Sequence, residues 1–332
     1  MVKIGLIGLG GIAGAHIASY KRYPDVEITA AADGKGKESY SYGMLSPSAR
    51  VYNDYKEMIE KEELDAVDIC APSHLHPEIS IYALEHGLHV LCEKPMALNY
   101  ADAERISDVA KKSGKVFMCA QITRFSKPYA YLKEIVEDGS LGRLKQLFVT
   151  RLSTIPKWRL GSNGQNSAAN GGVVFDLSIH DIDFVYSILG EPKKIHGVYE
   201  KECASDPNDF FTAALEYEGL SVSVNGGFYT ADIAFTKEFY AIFENGDLRF
   251  DRSRRLYKSG TEIDISDTVY PGEVKGLNID LNSCFIAEIG SFIECVKTGN
   301  PCEIALPEST AGGIKLVTRI INEITVPTER TK

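Results

Sequence analysis

The sequence predicts a two-domain α/β protein, a doubly wound parallel sheet followed by an α+β domain. Three observations carry this reading. The 332 residues are roughly twice the ~150 of a typical domain. Over the first 120 residues, short apolar runs alternate with helix-like stretches, as expected for strands covered on both faces by helices. Beyond about residue 122, period-two runs separated by Glu-Gly and Asn-Gly turn signals take over, the pattern of a mostly antiparallel sheet.

The elements follow in order. Val2–Ile7 reads as a strand, then glycines and a helix-like stretch to Tyr23, then a second strand over Val26–Ala32 that ends at Asp33. Tyr52–Glu62 is expected as a helix, Ala66–Ala71 as a strand, and Pro77–Glu85 as a helix stopped by Gly87. His89–Cys92 is a short strand, Tyr100–Lys112 a helix ending at Gly114, and Val116–Ala120 a strand. In the second part Pro128–Glu137 is helical and Leu144–Thr154 alternates. A Gly/Asn-rich segment, Gly161–Gly172, precedes one helix over Phe175–Leu189. Phe210–Tyr217, Ser221–Asn225 and Tyr240–Phe243 read as strands, and Asn282–Lys297 and Glu308–Ile324 as closing helices. The boundary is expected near Ile122, giving domains 1–121 and 122–332, with the last helix able to pack back on the first domain.

Composition narrows the function classes. Apolar residues make up 44% and charged residues 25%, which disfavours disorder, collagen and coiled coil. With 36 Lys and Arg against 46 Asp and Glu, the formal charge is −10, so neither nucleic acid nor a membrane is expected as partner. No run of ~18 apolar residues occurs. Five glycines between Gly5 and Gly14 make a poor signal helix. The seven cysteines are scattered and form no C-x-x-C pair, so neither a zinc ribbon nor a dithiol motif is written here. A reducing, cytoplasmic home is the expectation.

Chemistry first shows at Gly8-Leu9-Gly10-Gly11-Ile12-Ala13, which fits G-x-G-x-x-G/A directly after the first strand. Gly8 permits the tight turn, Gly10 lets the backbone approach a pyrophosphate, and Ala13 allows close helix–strand packing. The helix N-terminus that follows offers free N–H groups and a positive dipole end to phosphate. Asp33 lies 33 − 13 = 20 residues past Ala13, where a carboxylate is expected to hold the ribose 2′-hydroxyl. That carboxylate favours NAD, while Lys35 and Lys37 beside it keep NADP open.

A second motif, His89-Val-Leu-Cys-Glu93-Lys94-Pro95, leaves a strand at the C-terminal edge of the sheet, where such sheets take ligands. Lys94 there is a candidate proton donor or acid beside a nicotinamide. A cis bond before Pro95 is the expected device for aiming it. A surface Glu–Lys ion pair is the bland alternative. The third motif runs from Gly171-Gly172 to Asp176, His180 and Asp183. On one helix, Asp176 and His180 are i, i+4 neighbours, so the carboxylate can orient the imidazole for general acid/base work. His74-Leu75-His76 resembles a metal pair, but no carboxylate or cysteine cluster completes it, and no metal is expected. Trp158, the only tryptophan, opens the Gly/Asn-rich segment and reads as part of a lid over a substrate.

Taken together, the chain resembles the Gfo/Idh/MocA oxidoreductases. The residues that carry the likeness are Gly8–Ala13, Ala71-Pro72-Ser73-His74-Leu75-His76, the run from Ala83 into Glu93-Lys94-Pro95, Arg124-Phe125, and Asp176/His180/Asp183. The resemblance spans nearly the whole chain. It implies a Rossmann domain binding a nicotinamide dinucleotide and a second domain with a large, mostly antiparallel open sheet used for homodimer or homotetramer formation. The family's catalytic lysine, aspartate and histidine fall on Lys94, Asp176 and His180. By the same likeness Pro72, Ser73, His76, Glu93 and Gln121 line the cofactor, and Arg124, Trp158 and Arg159 reach the substrate. Three departures stand out: Asn170 for the first glycine of a triplet, Ser178 for the glycine of Asp-x-Gly-x-His, and Ser73 where asparagine is frequent. The implied activity is hydride transfer between nicotinamide and a secondary hydroxyl or ketone of a sugar, polyol or inositol-like substrate. A glycosidase acting by transient oxidation and a non-catalytic dinucleotide-binding regulator are the rival readings.

Overall fold

The computed structural model describes residues 1–156, 171–203, 206–265, 269–270 and 281–324. The chain divides into two compact units, Met1–Phe125 with Asp267–Ala311, and Ser126–Ser266 with Gly312–Lys332.

In the first unit, strands β1 (Val2–Ile7), β2 (Val26–Ala32), β3 (Arg50–Tyr52), β4 (Ala66–Ile69), β5 (His89–Glu93) and β6 (Phe117–Ala120) form one sheet. Helices α1 (Gly11–Tyr20), α2 (Tyr55–Lys61), α3 (His76–Glu85) and α4 (Tyr100–Ser113) connect them. The spatial order is β3-β2-β1-β4-β5-β6, and every neighbouring pair is parallel. The winding reverses between β1 and β4, which leaves a crevice beyond their C-terminal ends, the usual ligand position of such sheets. The helix expected over Tyr52–Glu62 starts later, at Tyr55. Asp54 caps it by accepting the Lys56 N–H at 2.8 Å, and Arg50–Tyr52 instead adds a short edge strand. Every residue of β4 and β6 is buried, including Asp68 in the middle of the apolar β4.

The second unit holds α5 (Lys127–Asp138), β7 (Leu144–Thr154), α6 (Gly172–Asp176), α7 (Ile179–Leu189), β8 (Lys194–Glu200), β9 (Asp209–Tyr217) and β10 (Leu220–Tyr229), then β11 (Thr236–Phe243), β12 (Gly246–Phe250), β13 (Leu256–Lys258) and β14 (Thr261–Ile263). Its eight strands are ordered β14-β13-β12-β11-β7-β10-β9-β8. Only β7 and β10 run parallel, so the sheet is mostly antiparallel, as expected. In β9 buried and more accessible residues alternate, placing Phe211, Ala213 and Leu215 on the core side. Tyr129 of α5 sits in that core, edge-on to Phe184 at 4.9 Å and Phe239 at 5.2 Å.

Two short strands, β15 (Val269–Tyr270) and β16 (Leu281–Asn282), precede α8 (Ser283–Thr298) and α9 (Pro307–Glu323). Helix α8 belongs to the first unit, where Ile289, Phe292 and Ile293 share one buried cluster with Val2, Ile4, Leu91 and Met118. Asn282 caps it, accepting the N–H of Cys284 at 3.0 Å. Among the described residues no helix is long and apolar enough to cross a membrane.

Candidate active site

The crevice of the first unit is built by five strand ends. After β1 the chain turns at Gly8 with φ +91°, a conformation that favours glycine, and a Cβ there would come within 2.7 Å of the Cys70 and Ala71 backbone. Gly10 differs: a Cβ there would meet nothing within 4 Å, and no side chain caps the helix it begins. The first N–H groups of α1 thus stand at the positive end of the helix dipole without a capping side chain.

At the end of β2, Asp33 accepts the Leu9 N–H at 2.7 Å and the Lys35 N–H at 2.9 Å. Burial works to raise its carboxyl, but these two N–H groups and the Ser39 hydroxyl outweigh it and hold the group below the ordinary value. A fixed carboxylate thus stands beside the glycine turn. Beyond β4, Pro72 is exposed and Ser73 half-buried at the start of a short 3-10 turn. Gln121, just past β6, is 1% exposed, and neither amide atom has a hydrogen-bond partner among the described residues. An unsatisfied buried amide at this strand end suits the polar edge of a bound dinucleotide. Together with the Gly8–Gly10 cradle and Asp33, it shows that the residues present fit the cofactor.

Lys94 follows β5 directly, is half-buried, and precedes a cis peptide to Pro95. Glu93 accepts the Lys94 backbone N–H at 2.9 Å. His76 is buried with Nδ1 2.7 Å from the Pro95 carbonyl and Nε2 2.8 Å from that of Ala71. Burial lowers this imidazole below its usual range, so in its neutral form it donates to one of the two carbonyls. Lying against both carbonyls, the ring bridges the turn after β4 and the turn after β5.

In the second unit the single helix expected over Phe175–Leu189 is two helices, α6 and α7, meeting at Leu177 and Ser178. Both linking residues keep right-handed backbone (φ −94° and −87°), and the Ser178 N–H reaches back to Val173 O at 2.9 Å, five residues away. The simple i, i+4 spacing of Asp176 and His180 on one helix therefore does not hold. The two share a partial accessibility: from residue 172 to 185 every residue is buried except Asp176 and His180, which are half-buried. The start of α6 is fixed by Asp209 of β9, which accepts the Val173 N–H at 2.7 Å. Asp183 is buried against α9, where a Cβ on Gly313 would lie 2.7 Å from its Oδ1.

Other expected residues fall as follows. Gly11 and Ile12 open α1. Arg124 is buried and donates from Nη1 to Ile304 O and Ser309 Oγ, both at 3.0 Å. Trp158 and Arg159 lie outside the described residues. Two buried ionic groups escaped the sequence reading. Arg151 and Tyr129 converge on Asp181, the neighbour of His180. In the first unit His16 lies between Asp68 and Glu93, with Cys70 and Glu288 nearby. The signal available in advance was a polar residue, His16 or Asp68, inside an otherwise apolar run.

Comparison with known proteins supplies the family. Residues 2–121 match the Gfo/Idh/MocA oxidoreductase family, NAD-binding Rossmann fold, and residues 129–249 match the Gfo/Idh/MocA C-terminal domain. The chain belongs to the Gfo/Idh/MocA oxidoreductases. Myo-inositol 2-dehydrogenase of Thermotoga maritima is 31% identical over 190 residues, 57% of this chain and 55% of its own length. D-glucoside 3-dehydrogenase of Escherichia coli is 31% identical over 197 residues, 58% and 55% of the two chains. The matches thus span about half the length of these curated relatives. A solved oxidoreductase from Agrobacterium radiobacter, in complex with NAD+, L-tartaric acid and magnesium, shares the fold with TM-score 0.78 at 19% identity, covering 97% of this chain and 96% of that one. As a Gfo/Idh/MocA protein, the chain has an NAD-binding Rossmann domain, within which the Gly8–Ala13 turn, Asp33 and Gln121 lie.

Proposed function

We propose that the protein is an NAD-dependent dehydrogenase of CH–OH groups, acting between a secondary hydroxyl and the corresponding ketone of a sugar, polyol or inositol-like substrate. The observation that supports this most is that Asp176 and His180 alone are half-buried in an otherwise buried stretch from 172 to 185. A carboxylate and an imidazole have no packing reason to be singled out together there. Names of relatives, an inositol dehydrogenase and a glucoside dehydrogenase, support the substrate class.

In this reading residues 1–121 hold the dinucleotide and 122–332 the substrate. Gly8, Gly10, Gly11, Ile12, Asp33, Pro72, Ser73, His76, Glu93, Lys94 and Gln121 line the cofactor. Bound there, NAD supplies the hydride acceptor, or in the reverse direction NADH the donor. For oxidation, His180 takes the hydroxyl proton, held in orientation by Asp176. Lys94 donates a charge-assisted hydrogen bond to the developing alkoxide, a preorganised contact that contributes on the order of a few kcal/mol. Lys94 and His180 can exchange the acid/base role without changing the overall reaction. Arg124, Trp158 and Arg159 are the proposed substrate contacts. The second unit's sheet is the proposed face for a homodimer or homotetramer: Val198 and Tyr240 are 49% and 39% exposed there, and Tyr240 stacks with Phe148.

The test is the reduced-nicotinamide absorbance of the protein with NAD and a panel of myo-inositol, aldoses and alkyl glucosides. A dehydrogenase raises it in proportion to substrate. A glycosidase would cleave glucosides with no net reduction, and a sensor would give neither result.

A further inference from the structure

A group of ionisable side chains lies inside the first unit, below the crevice and away from solvent. His16 of α1 is 0% exposed. Its Nδ1–H donates to Asp68 Oδ2 of β4 at 2.8 Å, and its Nε2–H to Glu93 Oε1 of β5 at 3.1 Å. The second oxygen of Glu93 accepts the Lys94 N–H at 2.9 Å. Cys70 donates weakly to the other oxygen of Asp68 at 3.7 Å. From α8, Glu288 brings a third carboxyl into the same field, 0% exposed and with neither oxygen hydrogen-bonded among the described residues. His16, Asp68 and Cys70 also lie close enough together to hold a metal ion. Both ring nitrogens of His16 are already engaged by carboxylates, however, so His16 has no lone pair left for a metal.

Stability alone does not explain such a cluster. Desolvating an imidazolium and its carboxylates costs several kcal/mol per ion, and an apolar replacement of equal volume is often as stable or more so. What apolar side chains lack is direction. His16 fixes one oxygen of Glu93, the Lys94 N–H fixes the other, and Asp68 fixes His16.

We infer that His16 is a positioning residue for Lys94, acting through the Glu93 carboxylate that it holds against the Lys94 backbone. It couples the helix that begins at the phosphate-facing glycines to the backbone from which the lysine projects. The inference rests on the reading of Lys94 as the group that meets the reacting oxygen. It also makes a statement about Lys94 that can be read without turnover.

Two isosteric variants separate the contacts of His16. The amide nitrogen of glutamine matches imidazole Nε2 and keeps the bond to Glu93, whereas that of asparagine matches Nδ1 and keeps only the bond to Asp68. Protein labelled with 13C at lysine Cε gives a Lys94 signal, assigned by its loss in Lys94→Ala. In His16→Asn that signal is expected to move, and turnover with the best polyol of the panel to fall on the order of tenfold or more. In His16→Gln both stay near the wild-type values, at comparable Tm for the two variants. If Asn prevents folding, Glu93→Gln takes its place and is expected to move the same signal. Equal Lys94 signals in both His16 variants, or a larger change in Gln than in Asn, would overturn the inference. Full turnover in Lys94→Ala would instead overturn the catalytic reading of Lys94, leaving the signal comparison to judge His16.

Discussion

Arg151 holds Asp181 through two parallel hydrogen bonds, Nε to Oδ2 at 2.6 Å and Nη2 to Oδ1 at 2.9 Å. Both side chains are buried, and the Tyr129 hydroxyl adds a third bond to Oδ1 at 2.9 Å. This fork fastens the first turn of α7 to the middle of the sheet, one residue from His180. Arg151→Met removes the fork while keeping the bulk, and leaves a carboxylate buried without its countercharge. The expected cost is about 3–5 kcal/mol of unfolding free energy in denaturant titration. A loss under about 1 kcal/mol would mean that the pair is dispensable.

The two glycines of the phosphate turn are expected to fail differently. Gly8→Ala forces a Cβ onto φ +91° and into the Cys70 and Ala71 backbone 2.7 Å away, so it lowers stability as well as NADH affinity. The conformation alone costs roughly 1–2 kcal/mol. Gly10→Ala adds a Cβ where the protein has nothing within 4 Å, so Tm stays near wild type. NADH affinity, read by fluorescence, still falls, because the methyl group enters the space that the pyrophosphate needs. Equal NADH affinity in Gly10→Ala and wild type would displace the cofactor from this turn.

Glu288 gives a pH signature. Burial pushes its carboxyl well above the ordinary range, Glu93 and Asp68 add to the rise, and His16 opposes it. A raised carboxyl binds its proton more tightly in the folded state. Its stabilising contribution is therefore full below the unfolded value of about 4.3 and is lost as pH climbs toward the folded value, at up to ~1.4 kcal/mol per pH unit. Glu288→Gln has no proton to lose. Relative to wild type, the stability of this variant is expected to increase steadily over the range above about pH 4.3, until the folded-state carboxyl ionises. A constant difference across that range would show that Glu288 is already ionised in the native state.

Legibility of the sequence tracked the range of the interaction. The turn from Gly8 to Ala13 and the carboxylate at Asp33 were readable because backbone geometry demands those residue types at fixed local spacing. The parallel and antiparallel sheets followed from strand patterning for the same reason. By contrast, the His16 cluster joins positions 288 − 16 = 272 residues apart, and no local pattern announces it. The break between α6 and α7 carries no local signal, because no proline or glycine interrupts the sequence from Val173 to Leu189. Gly226 of β10 leaves room for Ser178, since a Cβ there would lie 2.0 Å from the serine hydroxyl, and that fit belongs to tertiary packing. Asp181 and Asp183 look alike in sequence to Asp176, yet only the fold turns the first two fully into the core and leaves the third half-buried.

Hydride transfer is tested most directly by following the hydrogen itself. NAD is incubated with the protein and with myo-inositol, glucose or methyl glucoside deuterated at the ring carbons, and the nicotinamide is analysed by mass spectrometry. For at least one of these substrates, reduced nicotinamide should accumulate one deuteron heavy, in step with the ketone. Nicotinamide that stays oxidised with all three, or that gains hydrogen only from water, would contradict a direct transfer from carbon.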